Sequence, residues 1–252
     1  MTPTPRTKAL CDTCLSIIET GSPERLYGVW VYLKDGAGLT AGAHQGTDRS
    51  NSVDRMVRIG VAKWEAAHGP VPQDDDHLVW RAKFWALPIF EANATVKLDP
   101  DNLPGWAVEL GKWWESCSVL QEFRDAQDQV FHEDYWLPAV AVADEVGLTS
   151  PLGMLVAYDS MVQSGLNGPL SMRKLRRQFS ERSPKNGGNE AAWLSAYVRT
   201  RHAILSHHPK KAVRTSAYRT EALLDLCNEG NIGLTTPFVM RAGNKRVRVE
   251  EP

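Results

Sequence analysis

The sequence predicts a mainly α protein with one small antiparallel β-sheet, an α+β arrangement dominated by helices. Apolar residues recur at the three- and four-residue spacing of amphipathic helices through most of the 252 residues. β-Branched and aromatic residues concentrate in one short stretch, 27–33, which is followed by an Asp-Gly turn. Segments rich in Gly and Pro separate the helical patterns.

The N-terminal part predicts one helix and the β-hairpin. Helical spacing of apolar residues covers 7–19, and Gly21 is suited to end that helix in the left-handed conformation. Residues 27–33 predict a strand, Asp35-Gly36 predicts a tight turn, and 39–43 predict the returning strand. The end of the helix and the hairpin would therefore follow each other closely in the chain.

The remainder of the chain predicts helices joined by loops. Ser150 and Pro151 suit the N-cap and first position of one of them, and Pro88 would end another. Helices are predicted over 53–67, 191–205 and 216–227, and over 77–91 as far as Pro88. Two further helices are predicted within 105–144, and another begins at Pro151. Residues from 243 onward predict a basic tail.

The composition excludes several classes of function. The 29 basic and 30 acidic residues leave a formal charge of −1, so no overall field attracts nucleic acid. No apolar stretch approaches the roughly 20 residues that span a bilayer, so no membrane insertion is expected. The N-terminus lacks the apolar segment of a signal peptide. We therefore expect a protein that stays cytoplasmic until it leaves by another route, or one secreted after removal of a leader.

The cysteines predict no metal or cofactor. They lie at positions 11, 14, 117 and 227, and Cys11 and Cys14 form a CxxC motif. No second CxxC and no neighbouring pair of histidines completes a zinc set, and the motif falls inside a predicted helix. We interpret these two cysteines as small helix residues.

Two charged residues stand where apolar residues are expected. Asp159 lies on the apolar stripe of the helix after Pro151, and Arg201 lies on the apolar stripe of the helix 191–205. Because a lone buried charge is costly, we expect the two to pair across the core, with Arg214 completing the fork. The alternative is that either side chain reaches solvent at the edge of its helix.

Two carboxylates near the N-terminus raise the question of catalysis. Glu19 follows Ile17 and Ile18 at the end of the first predicted helix, and Asp35 lies in the glycine-rich turn of the hairpin. Apolar surroundings would raise the pKa of the first carboxyl, while the hydrated turn would keep the second ionised. Such a pair suits acid and base catalysis of glycoside hydrolysis, although a helix-end Glu and a turn Asp are also ordinary structural features.

Several blocks of sequence, in order, resemble glycoside hydrolase family 46, the chitosanases of the lysozyme-like superfamily. They are IIETGS, DGAGLTAG, DQVFHEDYWLPAVAVADEVGL, LGMLVAYDSMVQSG and SPKNGGNEAAWLSAYVRTRHAIL. The resemblance covers most of the chain and is weakest over 65–105. It implies a single lysozyme-like domain over 1–252, with two lobes, a cleft between them and the small sheet beside the cleft.

The resemblance also implies roles for individual residues and an inverting mechanism. Glu19 would be the general acid, Asp35 the general base, and Thr40 would help to hold the attacking water. The remaining implied residues are Gly38, His44 and Asp54 for substrate binding and Asp159, Arg201 and Arg214 for a charge network that supports the acid.

Two departures from the family bear on the substrate: its amino-sugar-binding Arg is replaced by Ala37, and its aromatic residue before Thr40 is replaced by Leu39. We therefore expect a lysozyme-like hydrolase of the β-1,4 linkages of peptidoglycan, such as an endolysin or a delivered antibacterial enzyme. The alternative is a chitosanase, whose cationic substrate would be met by Asp48, Asp54 or the acidic run 74–76.

A non-enzymatic alternative rests on the basic segment RKLRRQFSER, residues 173–182, which is predicted to be a helix. Such a helix could bind nucleic acid or an acidic partner in an adaptor protein. Most basic helical faces are simply solvated, and the near-neutral total charge gives the adaptor no support. We therefore expect a monomer whose partner is a polysaccharide and not a nucleic acid.

Overall fold

A computed structural model describes residues 3–33, 38–43, 46–47, 52–93, 98–99 and 101–252. The described chain is predominantly helical, as the sequence predicts, with small antiparallel sheets. It divides into two compact units. The first unit comprises Met1–Arg25 and Glu133–Pro252, and the second unit comprises Leu26–His132.

The first unit consists of seven described helices and a hairpin around one apolar core. The helices are α1 (Pro5–Thr20), α7 (Leu137–Val146), α8 (Pro151–Ser164), α9 (Met172–Leu175), α10 (Glu190–Ser206), α11 (Lys211–Arg214) and α12 (Ala217–Asn228), and the hairpin strands are β4 (Phe238–Ala242) and β5 (Lys245–Val249). Tightly packed side chains of α1, α8 and α10 fill the core, together with Trp136.

The second unit packs a three-stranded antiparallel sheet with five helices among its described residues. The strands are β1 (Trp30–Leu33), β2 (Gly38–Ala41) and β3 (Gly46–Thr47), and the helices are α2 (Ser52–His68), α3 (Leu78–Arg81), α4 (Leu87–Asn93), α5 (Gly105–Cys117) and α6 (Gln121–Phe131). The strand order is β1-β2-β3, and Trp113, Trp114 and Phe123 form an aromatic core.

The predicted helix caps are present. Ser150 caps α8 by accepting a hydrogen bond from the Gly153 N–H, and Pro151 takes the first position. At the end of α1, Gly21 adopts φ 74° and donates its N–H to the Ile17 carbonyl. A residue with a Cβ is strained in that conformation, so Gly21 ends the helix directly after Glu19 and Thr20.

The predicted end of a helix at Pro88 is wrong, because the helix continues past this proline after a π-helical turn. The turn Ala82–Ala86 precedes Pro88, and a second π-helical turn, His132–Trp136, precedes Pro138. In an α-helix, proline lacks the N–H donor and its ring meets the carbonyl four residues earlier. The wider turn moves that carbonyl away, so the helix continues to Asn93.

Two further elements differ from the predictions. The basic C-terminal residues form strand β5 instead of a tail, and β5 pairs with β4 in an antiparallel hairpin in which Phe238 is opposite Val249. Val249 is buried, so the alternation in KRVRV is that of a strand. The predicted basic helix over 173–182 is also wrong, because α9 ends at Leu175 and the chain continues in turns.

Within the described ranges, no helix is both long enough and apolar enough to cross a bilayer.

Candidate active site

Glu19 lies at the C-terminal end of α1 with its carboxyl group almost fully enclosed. Only 8% of its side chain is exposed, because Ile17 and Ile18 anchor this turn of the helix in the core. An arginine from α12 reaches it: Arg219 Nη1 donates to Glu19 Oε1 at 2.5 Å. The sequence prediction of an acid at the end of an apolar helix turn is therefore confirmed in its placement.

Arg219 connects Glu19 to a buried network. Its Nη2 lies 2.6 Å from Asp159 Oδ1, and Asp159 Oδ2 accepts a hydrogen bond of 2.5 Å from Arg201 Nη1. Both Asp159 and Arg201 have no exposed side-chain surface. Arg201 also donates to the side-chain oxygen of Gln163. The predicted pairing of Asp159 with Arg201 across the core is confirmed, and neither side chain reaches solvent.

The predicted third member of this network, Arg214, is wrong. Arg214 Nη1 instead donates to the carbonyl oxygens of His208 and Pro209, in the loop that leads into α11. Arg219, five positions later, takes the place predicted for it. Because α11 is only one turn long and ends before α12 begins, Arg214 falls outside the helix that faces Asp159.

Arg219 could have been found from the sequence. In the predicted helix 216–227, position 219 lies on the same apolar stripe as Ala222, Leu223 and Leu226, which are buried. A charged residue on a core-facing stripe is the signal that identified Asp159 and Arg201. The same rule, applied to this third helix, indicates a buried arginine.

Burial and the arginine act on the acid in opposite directions. Burial raises the pKa of Glu19, the Arg219 charge and hydrogen bond lower it, and the Asp159 charge raises it, with a net pKa above the ordinary value. Burial also acts to raise the pKa of Asp159, but the charges of Arg219 and Arg201 outweigh burial and hold that pKa below its ordinary value. The site therefore holds Asp159 ionised to lower pH than an ordinary Asp, and Glu19 protonated to higher pH than an ordinary Glu.

Thr40 and Gly38 lie on the middle strand of the three-stranded sheet. In β2, Thr40 pairs with Val31 on one side and Thr47 on the other, and its side chain is buried. The predicted hairpin is present, with β1 and β2 antiparallel and Leu33 opposite Gly38. Asp35 and His44, predicted as base and substrate ligand, lie outside the described residues.

The residues that follow β2 are held by a buried amide. Gln127 of α6 accepts the Ala43 N–H at 3.0 Å and donates to the Tyr27 carbonyl at 3.2 Å. Trp114 Nε1 donates to the same Tyr27 carbonyl at 3.0 Å. Gly42 adopts φ +85°, and a Cβ at this position would lie 2.5 Å from the Gln127 oxygen. The strand that carries Thr40 is therefore fixed at its end by α5 and α6.

Asp54, predicted to bind sugar, lies in the first turn of α2. Its Oδ2 accepts a hydrogen bond of 3.0 Å from Arg58 Nε, one helical turn later, and Arg58 also pairs with Glu91. The other oxygen, Oδ1, is buried and has no hydrogen-bond partner among the described residues. The carboxylate thus retains one acceptor atom that is not used by the arginine.

The CxxC cysteines lie in the core of α1. Cys11 and Cys14 are fully buried and unpaired with each other, and burial raises the pKa of Cys14 to about 12. Buried thiols of this kind are poor nucleophiles. In the part of the chain that the structure describes, no three His, Cys, Asp or Glu side chains are grouped as a metal site would require.

Comparisons with known proteins agree on one family. The model of Glycosyl hydrolase family 46 matches residues 94–238, which is more than half of the chain. A chitosanase from Bacillus subtilis (strain 168) is 28% identical over 243 residues, covering 93% of this chain and 82% of that protein. The crystal structure of native chitosanase from Bacillus subtilis MY002 is similar with a TM-score of 0.80 at 26% identity, covering 99% of this chain and 100% of that chain. A mutant of that chitosanase, complexed with 6 GlcN, gives a TM-score of 0.79 at 26% identity, with the same coverage.

Proposed function

This chain belongs to glycosyl hydrolase family 46 and is a glycoside hydrolase, and from that premise we propose that it hydrolyses the β-1,4 linkages of chitosan. The named relatives are chitosanases, and one of them is described with a glucosamine oligosaccharide. This evidence favours chitosan as the substrate. Peptidoglycan, the substrate expected from Ala37 and Leu39, is not supported by these relatives. Those two departures then concern how glucosamine is recognised and not whether it is the substrate.

The observation that carries the proposal is the buried Glu19 carboxyl at the end of α1, whose pKa burial raises. A general acid for glycoside hydrolysis must hold its proton at the working pH and present it to the leaving oxygen. Burial gives Glu19 a raised pKa, and Arg219 fixes one of its oxygens at 2.5 Å. We assign this carboxyl group to carry the proton and deliver it to the leaving oxygen.

The reaction that we propose is a single displacement. Glu19 gives its proton to the glycosidic oxygen as the bond to the anomeric carbon breaks, and the leaving sugar departs with a new hydroxyl group. Water attacks the opposite face of the anomeric carbon while Asp35 takes one of its protons, and Thr40 helps to orient that water. The product has inverted configuration, and both carboxyl groups return to their starting state through solvent.

Arg219 and Asp159 support the acid without touching substrate. A lone arginine beside Glu19 would stabilise the carboxylate and weaken the acid. Here the Arg219 guanidinium is shared with Asp159, whose ionised carboxylate lies 2.6 Å from it. The arginine can therefore hold Glu19 in place while much of its charge is balanced by Asp159.

The proposal is tested by measuring new reducing ends on chitosan and on purified peptidoglycan with wild type and Glu19→Gln. We expect wild type to cleave chitosan, and Glu19→Gln to lose at least about 10³-fold in rate with an unchanged melting temperature. Glu24→Gln is the matched control, because Glu24 is an exposed carboxylate five residues away in the same unit. NMR of the first product anomer tests inversion.

Three outcomes would contradict the proposal in different ways. Cleavage of peptidoglycan but not chitosan would reverse the choice of substrate. A Glu19→Gln enzyme with near wild-type turnover would remove Glu19 from the acid role. A first product of retained configuration would exclude the single displacement.

A further inference from the structure

The first unit contains a polar cavity that the proposed reaction does not use. Its volume is about 420 Å³, within the range of small-molecule sites, which is roughly 300–1,000 Å³. It opens where the end of α7, the turns after α9 and the start of α10 meet. It is lined by charged and polar side chains, with Trp193 at its wall: Glu145, Arg176, Arg177, Glu181, Arg182 and Asn186.

Close backbone contacts fix the walls of this cavity. A Cβ on Gly188 would lie 1.7 Å from the Arg182 carbonyl oxygen, and a Cβ on Gly147 would lie 2.5 Å from the Lys185 nitrogen. The Gly188 N–H also donates to the Ser183 carbonyl at 3.0 Å. The glycine-rich loop before α10 therefore packs directly against the segment that carries Arg182, so that segment is held in position.

One of the two carboxylates of the cavity is already neutralised. Glu145 accepts a two-point hydrogen bond from Arg173, and its other contact is Arg176 Nη1 at 3.6 Å. The hydrogen bond from Arg173 outweighs partial burial and lowers the pKa of Glu145, which is therefore ionised and matched by that arginine.

The other arginines of the cavity carry unbalanced charge. Arg177 and Arg182 are exposed, and neither makes an ion pair with any carboxylate of the described residues. Arg176 has only the longer contact with Glu145, and Glu181 supplies a single negative charge to the lining. With the Arg173 and Glu145 pair set aside, three arginines face one carboxylate, which leaves a local surplus of about two positive charges.

We propose that this cavity binds a small phosphorylated molecule, whose phosphate group is held by Arg176, Arg177 and Arg182. A phosphate monoester carries about −1.5 to −2 charge at pH 7, which matches the surplus. Guanidinium groups bind phosphate oxygens in two-point, charge-assisted geometry. The basic segment 173–182 is thus the wall of a small anion site, and not a helix for nucleic acid.

The experiment is an isothermal titration and NMR titration of the intact protein with inorganic phosphate, glycerol 3-phosphate and acetate at constant ionic strength. We expect saturable binding of both phosphate compounds, shifts at cavity residues, and acetate weaker by at least tenfold. Arg177→Gln and Arg182→Gln should each weaken phosphate binding by about tenfold and leave chitosan hydrolysis unchanged. Arg182→Lys should recover only part of the loss, because lysine lacks the planar fork.

Arg241→Gln is the matched control, because Arg241 is a partly exposed arginine of the same unit with carboxylate partners, Asp225 at 2.8 Å and Glu221 at 3.6 Å. It should leave phosphate binding unchanged. The proposal is overturned if phosphate gives no saturable shift, if Arg241→Gln reduces binding as much as Arg177→Gln, or if acetate binds equally well. Binding of long nucleic acid alone, with a steep salt dependence, would also overturn it in favour of a polyanion surface.

Discussion

Removing the Arg201 side chain should destabilise this protein far more than removing a surface arginine. Neither Arg201 nor Asp159 has any exposed side-chain surface, so water does not screen their 2.5 Å contact. Arg201→Ala leaves Asp159 with Arg219 as its remaining charged partner and deprives Gln163 of a donor. Breaking a buried pair by removing one member costs about 3–5 kcal/mol. For a chain of this length that corresponds to a fall in Tm of about 6–20 °C.

The measurement is Tm and denaturant midpoint for wild type, Arg201→Ala and Arg201→Met, with Arg241→Ala as control. Arg201→Met removes the charge but fills more of the space than Arg201→Ala does. Comparing the two variants therefore separates the effect of losing the charge from the effect of creating a cavity. Arg241 is 40% exposed on its side chain, and its removal should cost under about 1 kcal/mol. Equal effects of Arg201→Ala and Arg241→Ala would refute the reasoning, because they would mean that the buried pair stabilises no more than a surface pair.

The pH dependence gives this prediction a second test. The folded-state pKa of Asp159 is depressed, so the stability that it contributes is present above the ordinary pKa of an Asp and is lost as pH falls through the depressed value. Without Arg201, burial is opposed by one arginine fewer, so the pKa of Asp159 is higher in the variant than in wild type. The penalty of Arg201→Ala should therefore be largest at neutral pH and shrink as acidification protonates Asp159 in the variant. A penalty that does not shrink on acidification would show that it does not arise from the charge of Asp159.

Three more outcomes are expected. Asp159→Asn should move the high-pH limb of kcat/KM to lower pH. Without the Asp159 carboxylate the positive charge of Arg219 is no longer balanced, so it lowers the pKa of Glu19. A shift of this limb to higher pH would contradict the prediction. Gly42→Ala should lower Tm more than Gly69→Ala. Both glycines have positive φ, 85° and 89°, but only at Gly42 would a Cβ meet another side chain. Equal losses of Tm would show that the backbone conformation alone accounts for the destabilisation. Cys14 should resist iodoacetamide in native protein and react in denaturant, followed by mass spectrometry, whereas rapid native labelling would mean that α1 opens.

The apolar stripes allowed the buried charge pair to be predicted, because a charge on a core-facing stripe requires a partner. Asp159 and Arg201 were identified in this way, and the structure joins them. Arg219 satisfies the same rule on α12 and was missed, since the resemblance pointed to Arg214. On α12 the periodicity therefore indicates the buried arginine, whereas the match of Arg214 to the family pattern does not.

The remaining errors arise where a local rule depends on context. Proline predicts the end of a helix, but the π-helical turn before Pro88 accommodates it. The segment 245–249 is too basic to stand out as a strand, and becomes one because Val249 is buried and the paired strand β4 carries Phe238 and Met240 into the core. Neither the wider turn nor the partner strand can be read from the residues of the segment alone.

The charge network resolves a conflict between holding an acid in place and keeping it protonated. A carboxyl in an apolar pocket keeps its proton but has nothing to orient it, and an arginine that orients it also favours loss of the proton. Asp159 removes this conflict by taking a share of the Arg219 charge, and Arg201 in turn prevents Asp159 from being an unpaired buried anion. The four residues therefore act as one unit, and the pKa of Glu19 depends on Arg201 through Asp159 and Arg219, which join the two side chains.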